Sequence, residues 1–290
     1  MSNKGMIIAE RSRDIGDFLV GRILPFRKKR MVGPFIFIDH MGPSEVKPGR
    51  WMDIGQHPHI GLSTLTYLFE GTVTHRDSIG SEQDITPGSV NWMTAGKGVV
   101  HTERTPQSLR EAGTAHHVHG FQIWVALPKG LEEIEPTFFH FPKEELPTWE
   151  QDGINFILIA GEAFGRKSPV PVHSELFMLE LKTDTTTSFD AAGVLTGEIG
   201  ICVVEGYIEA CGSRVEAGNM LVSKEEDACR IHLPSPTHLL IFGGKPFEES
   251  RHIFWNFVAT DKQCIEEAKE RWARKDFDMV VGDKSYVPLP

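Results

Sequence analysis

Cysteine and positive charge are both scarce in this chain. The 290 residues include 30 Lys and Arg against 40 Asp and Glu, which gives a net charge of −10. Nonspecific nucleic-acid binding depends on basic side chains that neutralise phosphates, so this balance argues against direct binding to DNA or RNA. No CxxC pair occurs, and we expect reduced thiols in a reducing compartment. The cysteines are Cys202, Cys211, Cys229 and Cys264.

Long apolar runs are also absent. No run approaches the roughly 18 apolar residues of a membrane-spanning helix. The first residues, Met1-Ser2-Asn3-Lys4, lack the apolar core of a secretory signal. We therefore expect a cytoplasmic protein, or a nuclear one if the source is eukaryotic, without a membrane partner. The basic cluster Arg27-Lys28-Lys29-Arg30 is interpreted as a solvated loop before a strand, with a phosphate or targeting patch as the alternative.

Strand patterns dominate the chain. Short apolar or alternating runs are separated by Gly, Pro, Asp and Asn. Strands this closely spaced, with turn residues between them, predict an all-β sandwich or barrel. The predicted strands include Phe35–Ile38, Leu62–Phe69, Ser89–Met93, Gln122–Leu127, Phe156–Ala160, Phe177–Leu181, Gly200–Val204 and His238–Phe242.

Helical periodicity is confined to the C-terminal region. Thr260 and Gln263 form a capping-box pattern. We predict a helix near 261–275 that packs on a barrel through Ile265 and Trp272. The residues that recur at helical spacing are Cys264, Ile265, Ala268 and Trp272.

In both halves of the chain, predicted strands alternate with glycine-containing turns at similar spacing. The segment Pro128–Gln151 is rich in Pro and Glu and poor in periodicity, and we interpret it as a linker. We therefore predict a duplicated barrel, with one domain over 1–135 and the other over 136–290. The second half has no HxH or HxE pair at the equivalent places, so any metal site is expected in the first domain alone.

Two pairs of metal-binding residue types point to that site. They are His57-Pro58-His59 and His101-Thr102-Glu103. On a strand, positions i and i+2 face the same way, so two neighbouring strands would aim three imidazoles and one carboxylate at one point. This donor set is typical of a divalent transition metal, whereas a closed structural zinc site more often uses cysteine.

The same pairs indicate where the site lies and what it could accept. Pro58 lacks a backbone N–H, so its strand must be an edge or a strand start, where a cavity mouth would be. Three neutral imidazoles and one carboxylate leave about one positive charge on a divalent ion, which suits an anionic ligand such as a deprotonated enol. Four protein ligands leave one or two positions open on iron for substrate or O₂.

The remaining histidines give weaker patterns. His117 and His119 form a second HxH pair beside His116. We interpret this segment as the polar start of a strand, with a role as ligand or supporting donor as the alternative. His75 and His140 have no partner pattern, and we predict that they lie on the surface or in loops.

A series of short motifs runs through nearly the whole chain. In this order the motifs resemble the pirin family within the cupin superfamily, most specifically over Pro87–Glu103. The segments that carry the resemblance are Gly33–Pro43, His57–Gly61, Thr66–Gly71, His75–Ser78, Pro87–Gly98, His101–Glu103, His119–Trp124 and Gly244–Phe247.

The resemblance implies a bicupin, that is, two cupin-type β-barrels with a metal only in the N-terminal one. The residues that match the family's ligands are His57, His59, His101 and Glu103. The family's metal is usually iron, so we expect Fe(II), with Mn, Zn, Ni, Cu or Co open on the same ligands. Some members oxidise the flavonol quercetin with O₂. Others are described as iron-dependent, redox-sensitive partners of transcription factors in the nucleus.

Two segments depart from the family pattern. Many members read His-Pro-His-Arg-Gly-Phe-Glu-Thr, whereas this chain has Ile60, Leu62 and Ser63 in place of Arg, Phe and Glu. The ligands are unaffected, but a less charged rim and less charged surroundings of the ligands are expected, which leaves the substrate open. The segment Arg251–Phe257 also differs from the commoner family ending.

The preferred hypothesis is a dioxygenase of the quercetinase type. It would act on a flavonol-like or other enolic aromatic substrate together with O₂. Glu103 would be a ligand and also the general base that takes the substrate proton. His40, Gln122 and His119 would line the pocket or support the ligands.

Two alternatives stay open. A non-catalytic regulatory protein, whose iron redox state is read by a partner protein, would need the same ligands. In the other alternative the metal site of a bicupin is residual. A monomer is the default expectation for the oligomeric state.

Overall fold

The computed structural model describes residues 5–15, 19–224 and 230–290 and consists mostly of strands. In chain order the strands of the first half are β1 (Met6–Ala9), β2 (Arg11–Asp14), β3 (Leu19–Leu24), β4 (Phe35–Val46), β5 (Ile54–His59), β6 (Leu62–Glu70), β7 (Val73–Asp77), β8 (Glu82–Ile85), β9 (Val90–Thr94), β10 (Val99–Arg104), β11 (His116–Ala126), β12 (Thr137–Phe141) and β13 (Thr148–Gln151). Those of the second half are β14 (Ile154–Ala163), β15 (Arg166–Lys167), β16 (Leu176–Thr183), β17 (Thr187–Asp190), β18 (Glu198–Glu205), β19 (Tyr207–Ala210), β20 (Ser213–Glu216), β21 (Asn219–Lys224), β22 (Arg230–Leu233), β23 (Thr237–Gly244), β24 (His252–Phe254) and β25 (Phe257–Ala259). The strands predicted from the sequence are present, and the all-β prediction is confirmed.

The α-helices of the described residues are α1 (Gln107–Ala112) and α2 (Lys262–Ala273). The predicted C-terminal helix is therefore confirmed, and it buries Ile265, Ala268 and Trp272. Sequence reasoning missed α1, because six residues are too few to show a helical period. Neither helix of the described ranges has the length and apolar character needed to cross a bilayer.

The predicted cap of α2 is wrong by one residue. The cap is Asp261, whose carboxylate accepts a hydrogen bond from the Gln263 backbone N–H at 2.8 Å. Thr260 is engaged elsewhere, because its backbone N–H and its hydroxyl both donate to the Glu132 carboxylate. An aspartate at this position satisfies a free N–H of the first turn as well as a threonine would.

The chain forms two compact units, each discontinuous in sequence. One, which we call the histidine unit, comprises the described residues of 12–20, 39–143 and 248–290, and the other comprises those of 1–11, 21–38 and 144–247. The division into domains 1–135 and 136–290 stays a prediction, and the compact units group the chain differently. The reason lies in α2, whose buried face packs with Ile60 and Val100 of the first half in one apolar cluster.

Most strands of the histidine unit belong to two sheets that face each other. The larger has the strand order β12-β9-β6-β11-β4-β3-β2, and the smaller has the order β5-β10-β7-β8. The edge position predicted for Pro58 is confirmed, since β5 ends the smaller sheet. A side chain of β6 reaches one of β10, where the Thr66 hydroxyl donates to Glu103, so the ligand motifs face the interior between the sheets.

The other unit repeats this two-sheet plan. Its sheets have the orders β1-β21-β18-β23-β16-β14-β13 and β17-β22-β19-β20. Alternate residues of both sheets fill a common apolar core, as expected when a strand turns every second side chain inward. Core residues from the larger sheet include Phe156, Leu179 and Ile241, and those from the smaller sheet include Ile208 and Ile231.

The segment predicted to be a linker, Pro128–Gln151, contains strands β12 and β13, and the chain passes from one compact unit to the other within it, between Lys143 and Glu144. Strand β12 pairs antiparallel with β9 and places Phe138 opposite Met93. Phe138 packs there against the buried Met93, Ala95 and Val99. The aromatic run of β12 favours a strand, but the Pro and Glu residues on either side conceal it in a composition reading.

The cysteine prediction is only partly right. Cys202 and Cys264 are free, and burial raises the pKa of the Cys202 thiol. Cys211, in the turn between β19 and β20, is disulfide-bonded, so the expectation of a reduced thiol is wrong there. Pairing depends on proximity in space, which residue spacing does not reveal. Cys229 lies outside the described residues.

The C-terminal tail is fastened to the strand that carries the first histidine motif. The buried Gln56 side chain donates to the carbonyls of Asp283 and Ser285 and accepts from the backbone N–H of Val280 at 2.7 Å. The Val287 backbone N–H in turn donates to the Gln56 carbonyl at 3.0 Å. Residue 56 therefore links the tail to the chain immediately before His57.

Replacing Gln56 with Ala should lower the free energy of unfolding by about 2 to 4 kcal/mol, because buried backbone groups of the tail lose their partners. Chemical denaturation measures this loss. The matched control is Gln83→Ala on β8, where a partly exposed side chain donates to the carbonyl of the next residue, and a change below about 0.5 kcal/mol is expected. Equal effects of the two substitutions would contradict the role given to Gln56.

Candidate metal centre

The four predicted ligands lie on two paired strands. His57 and His59 are on β5, and His101 and Glu103 are on β10. The strands run antiparallel, with His101 directly opposite His57 and Val99 opposite His59. A register shift between His101 and Glu103 leaves Glu103 opposite Ile54. This irregularity separates the carboxylate from the histidines along the strand.

The histidines form a tight buried cluster. One ring nitrogen of each of His57, His59 and His101 lies within 4.8 Å of the others. The Nε2 atoms of His59 and His101 are 3.1 Å apart. Two nitrogens bound to one ion at about 2.1 Å would be separated by about 3.0 to 3.4 Å, so this spacing fits a shared metal. The three side chains are 8%, 1% and 1% exposed.

Burial keeps these imidazoles neutral. Loss of solvent lowers the pKa of His57 to about 4, against the opposing effect of its hydrogen bond with Gly55. Burial and the neighbouring His57 also lower the pKa of His59 and of His101 well below the usual value. A neutral imidazole has the lone pair that a metal needs, and at neutral pH no proton competes for it.

One ring orientation is set by the backbone. The Nδ1 atom of His57 lies 2.8 Å from the Gly55 carbonyl oxygen, which can only accept a hydrogen bond. Nδ1 of His57 therefore carries the proton, and Nε2 holds the lone pair. The residues present thus fit a divalent transition metal bound through imidazole nitrogens, with further positions left for other ligands.

Glu103 lies outside the histidine cluster. Its Oε1 accepts a hydrogen bond from the Thr66 hydroxyl at 3.0 Å, and the same hydroxyl lies 2.6 Å from Oε1 of Gln122. Burial raises the pKa of Glu103, while the proximity of His75 and the Thr66 hydrogen bond lower it, with a net rise. Its role as a ligand stays a prediction.

Thr66 connects two of the predicted site residues. A threonine hydroxyl has one proton, so it can donate to only one of the two oxygens at a time. If the Gln122 amide is turned by 180°, its NH₂ donates to Thr66 and Thr66 donates to Glu103. Sequence reasoning missed Thr66, because a threonine on a strand carries no signal of this kind.

His40 and His119 form a pair of their own. Their Nε2 atoms are 3.0 Å apart. The His40 ring stacks on Phe121 at a centroid distance of 4.6 Å, and Phe69 meets His119 edge-on at 5.1 Å. A role for either histidine in lining the pocket stays a prediction.

The strand start predicted for the second HxH segment is confirmed, since β11 begins at His116. His117 is exposed and lies 3.5 Å from the Glu70 carboxylate. His140, predicted on the surface or in a loop, is instead a half-buried residue of β12 that lies 2.6 Å from the Asn91 side-chain oxygen.

The prediction for His75 is wrong, and the error concerns the site itself. His75 lies on β7, is 3% exposed, and contacts both Asp77 and His101. The signal is present in the alternation of buried Val73, His75 and Asp77, which faces one side of a strand. The buried side of β7 therefore adds a histidine and a carboxylate next to the cluster.

The three positions that depart from the family pattern next to the first histidine motif are buried. Ile60 packs in the cluster beneath α2, Leu62 has no exposed surface, and the Ser63 hydroxyl lies 2.9 Å from that of Thr94. Their burial places them in the interior, and the expectation of a less charged rim stays a prediction. They replace a charged motif by interior packing.

Comparison with known proteins agrees with this architecture. A family profile described as pirin matches residues 18–125, and one described as the pirin C-terminal cupin domain matches residues 177–278. A pirin-like protein of Caulobacter vibrioides is 44% identical over 291 residues, which cover 98% of this chain and 99% of that protein. The chain belongs to the pirin family. Its fold is accordingly that of a bicupin, as predicted.

Relatives within this family carry the name of an enzyme. A Pseudomonas aeruginosa protein provisionally named quercetin 2,3-dioxygenase is 35% identical, over 98% of this chain and 90% of that protein. The crystal structure of a quercetin 2,3-dioxygenase from Acinetobacter baumannii has a TM-score of 0.90 and 36% identity, and covers 98% of this chain and 94% of that one. The chain is thus similar to named dioxygenases over nearly its whole length.

Removing any one cluster histidine should weaken metal binding by more than about 100-fold, because each supplies one of few donors in a buried site. The variants are His57→Ala, His59→Ala and His101→Ala, and competition with a chromophoric chelator measures the dissociation constant for Fe(II). The control is His117→Ala, whose exposed ring lies outside the cluster. Unchanged affinity in the cluster variants would show that the metal binds elsewhere.

Proposed function

We propose that this protein is a metal-dependent dioxygenase of the quercetinase type, which acts on a flavonol-like or other enolic aromatic compound with O₂. The observation that carries the proposal is the buried, neutral cluster of His57, His59 and His101, together with the buried carboxylate of Glu103 on the same strand as His101. The similarity to named quercetin dioxygenases supports the same reaction class.

The proposed metal ligands are His57, His59 and His101, and Glu103 would be a further ligand as well as the base. Fe(II) is the proposed ion, and Mn, Zn, Ni, Cu or Co would fit the same nitrogen donors. When bound, such an ion supplies Lewis acidity and a shared binding point for an enolate oxygen and O₂. The remaining chemistry depends on side chains of the protein.

Glu103 is the proposed base. Burial raises the pKa of its carboxyl, so the carboxylate accepts a substrate hydroxyl proton more readily than an exposed glutamate would. Thr66 holds one carboxylate oxygen at 3.0 Å and leaves the other available. Gln122 lies on the far side of Thr66 and fixes the hydroxyl between them.

Aromatic side chains limit the freedom of the cluster. Trp124 of β11 meets the His59 ring edge-on at a centroid distance of 5.0 Å. His59 and His101 are 1% exposed, so bulk water has little access to them. A dry, preorganised site strengthens the interaction of a developing anion with the charges around it.

Oxygen uptake tests the proposal. Fe(II)-loaded protein should consume O₂ when quercetin is added, and the His101→Ala variant should show no uptake above background because it loses a ligand. His117→Ala should retain full uptake. Flavonol-dependent uptake that is equal with and without His101, or no uptake from fully metallated protein, would contradict the proposal; the second result would favour the regulatory interpretation.

The Glu103→Gln variant separates the base from the ligands. It keeps an oxygen for Thr66 but cannot accept the substrate proton, so kcat should fall by about 10²- to 10⁴-fold while the metal stays bound. Full turnover would remove the base role. Loss of the metal together with turnover would make Glu103 an essential ligand instead.

A further inference from the structure

A chain of polar contacts runs from β7 into the histidine cluster. Asp77 Oδ2 lies 3.1 Å from His75 Nε2, and His75 Nδ1 lies 3.3 Å from His101 Nδ1. The other nitrogen of His101, Nε2, is the one that lies 3.1 Å from His59. Strand pairing produces this order, because His101 of β10 is opposite Asp77 and Glu103 is opposite His75.

The far end of the chain of contacts is firmly held. The other oxygen of Asp77, Oδ1, accepts hydrogen bonds from the backbone N–H groups of Ile79 at 3.1 Å and Ser81 at 2.8 Å. Burial raises the pKa of Asp77, but hydrogen bonds from His75 and Ser81 outweigh this effect and bring the pKa below its ordinary value. Asp77 is therefore a fixed carboxylate that only accepts hydrogen bonds.

The middle of the chain of contacts cannot turn easily. The His75 ring is 3% exposed and stacks on Phe138 of β12 at a centroid distance of 4.6 Å and an angle of 17°. The ring also lies close to His101, with centroids 5.1 Å apart. The two ring nitrogens of His75 therefore keep their separate partners.

These contacts determine which ring nitrogen of His75 and of His101 carries a proton and which group donates each hydrogen bond. A carboxylate accepts, so Nε2 of His75 carries the proton and donates to Asp77. With its proton on Nε2, His75 presents the lone pair of Nδ1, and Nδ1 of His101 donates to it. The lone pair of His101 consequently lies on Nε2, which faces His59 and the cluster.

We propose that Asp77 and His75 are positioning residues that hold His101 in the tautomer with Nε2 free to bind a metal. The proposal rests on the metal site proposed above. Outer partners of this kind set the ring orientation and the binding nitrogen of a metal-ligating histidine. Here two residues act in series, and the carboxylate is one imidazole further from the ligand than in a direct carboxylate–histidine pair.

The Asp77→Asn variant reverses this direction at little cost in shape. The asparagine oxygen can still accept from Ile79 and Ser81, but its NH₂ group then faces His75. Nε2 of His75 must accept, its proton moves to Nδ1, and His101 is left with its proton on Nε2. The nitrogen that should bind the metal is then blocked.

Nitrogen NMR of the ¹⁵N-labelled, metal-free protein reads the tautomer directly, with His101→Ala used for assignment. In the unsubstituted protein we expect the His101 proton on Nδ1, and in Asp77→Asn on Nε2. The control, Asp84→Asn, changes an exposed carboxylate on neighbouring β8 that accepts a hydrogen bond from the Thr74 hydroxyl, and His101 should be unchanged. A proton on Nε2 of His101 in the unsubstituted protein, or no difference in Asp77→Asn, would overturn the proposal.

Metal affinity gives a second readout. Asp77→Asn should weaken Fe(II) binding by about 10- to 100-fold in competition with a chelator, with Asp84→Asn at the unsubstituted value. Should Asp77→Asn fail to fold, His75→Phe keeps the stacking on Phe138 and removes the polar contacts of residue 75 with Asp77 and His101. His101 should then show a mixture of both tautomers, and a single Nδ1–H tautomer in that variant would overturn the proposal.

The two proposals can fail separately. If the protein binds no metal but the Asp77→Asn variant shows the tautomer reversal, the positioning role of Asp77 and His75 is supported and the dioxygenase proposal is contradicted. If the protein binds Fe(II) equally well with and without the Asp77→Asn substitution, and the variant shows no tautomer reversal, only the positioning role of Asp77 and His75 is contradicted.

Discussion

The pairing of His57 with His101 across β5 and β10 is the contact on which the rest of the site depends. It brings two i, i+2 motifs from distant parts of the chain to one place and buries them together. Burial then keeps the imidazoles neutral, which is the state that binds a metal. A slip of one residue in this register would turn the histidines to the opposite face of the sheet.

Much of the histidine unit secures that register. Pro58 cannot donate to a neighbour, so β5 is an edge strand and lacks a partner strand on its outer side in the described sheet. The C-terminal tail holds this strand through Gln56, next to His57, whose side chain donates to the Asp283 carbonyl. It holds β10 through Arg104, next to Glu103, because the Arg104 guanidinium donates to the Asp283 carboxylate. Both ligand strands are thus held by the same tail, which explains why the last residues of the chain belong to the histidine unit.

The sequence predicts the parts of this site that have a local signature. The i, i+2 spacing identifies His57, His59 and His101, and the proline identifies the edge strand. Glu103 also lies two residues from a cluster histidine, His101. A register shift between the two residues leaves Glu103 hydrogen-bonded to Thr66, and no spacing rule foresees such a shift. His75 escapes prediction because its partners, Asp77 and Phe138, act through strand pairing and through a strand that a composition reading takes for a linker.

X-ray absorption of the Fe(II)-loaded protein tests the central claim most directly, because it counts the nitrogen donors around the metal. The account predicts three imidazole ligands at about 2.0 to 2.2 Å, and one fewer in the His101→Ala variant loaded at high metal concentration. A spectrum without an imidazole shell, or the same imidazole count with and without His101, would contradict it.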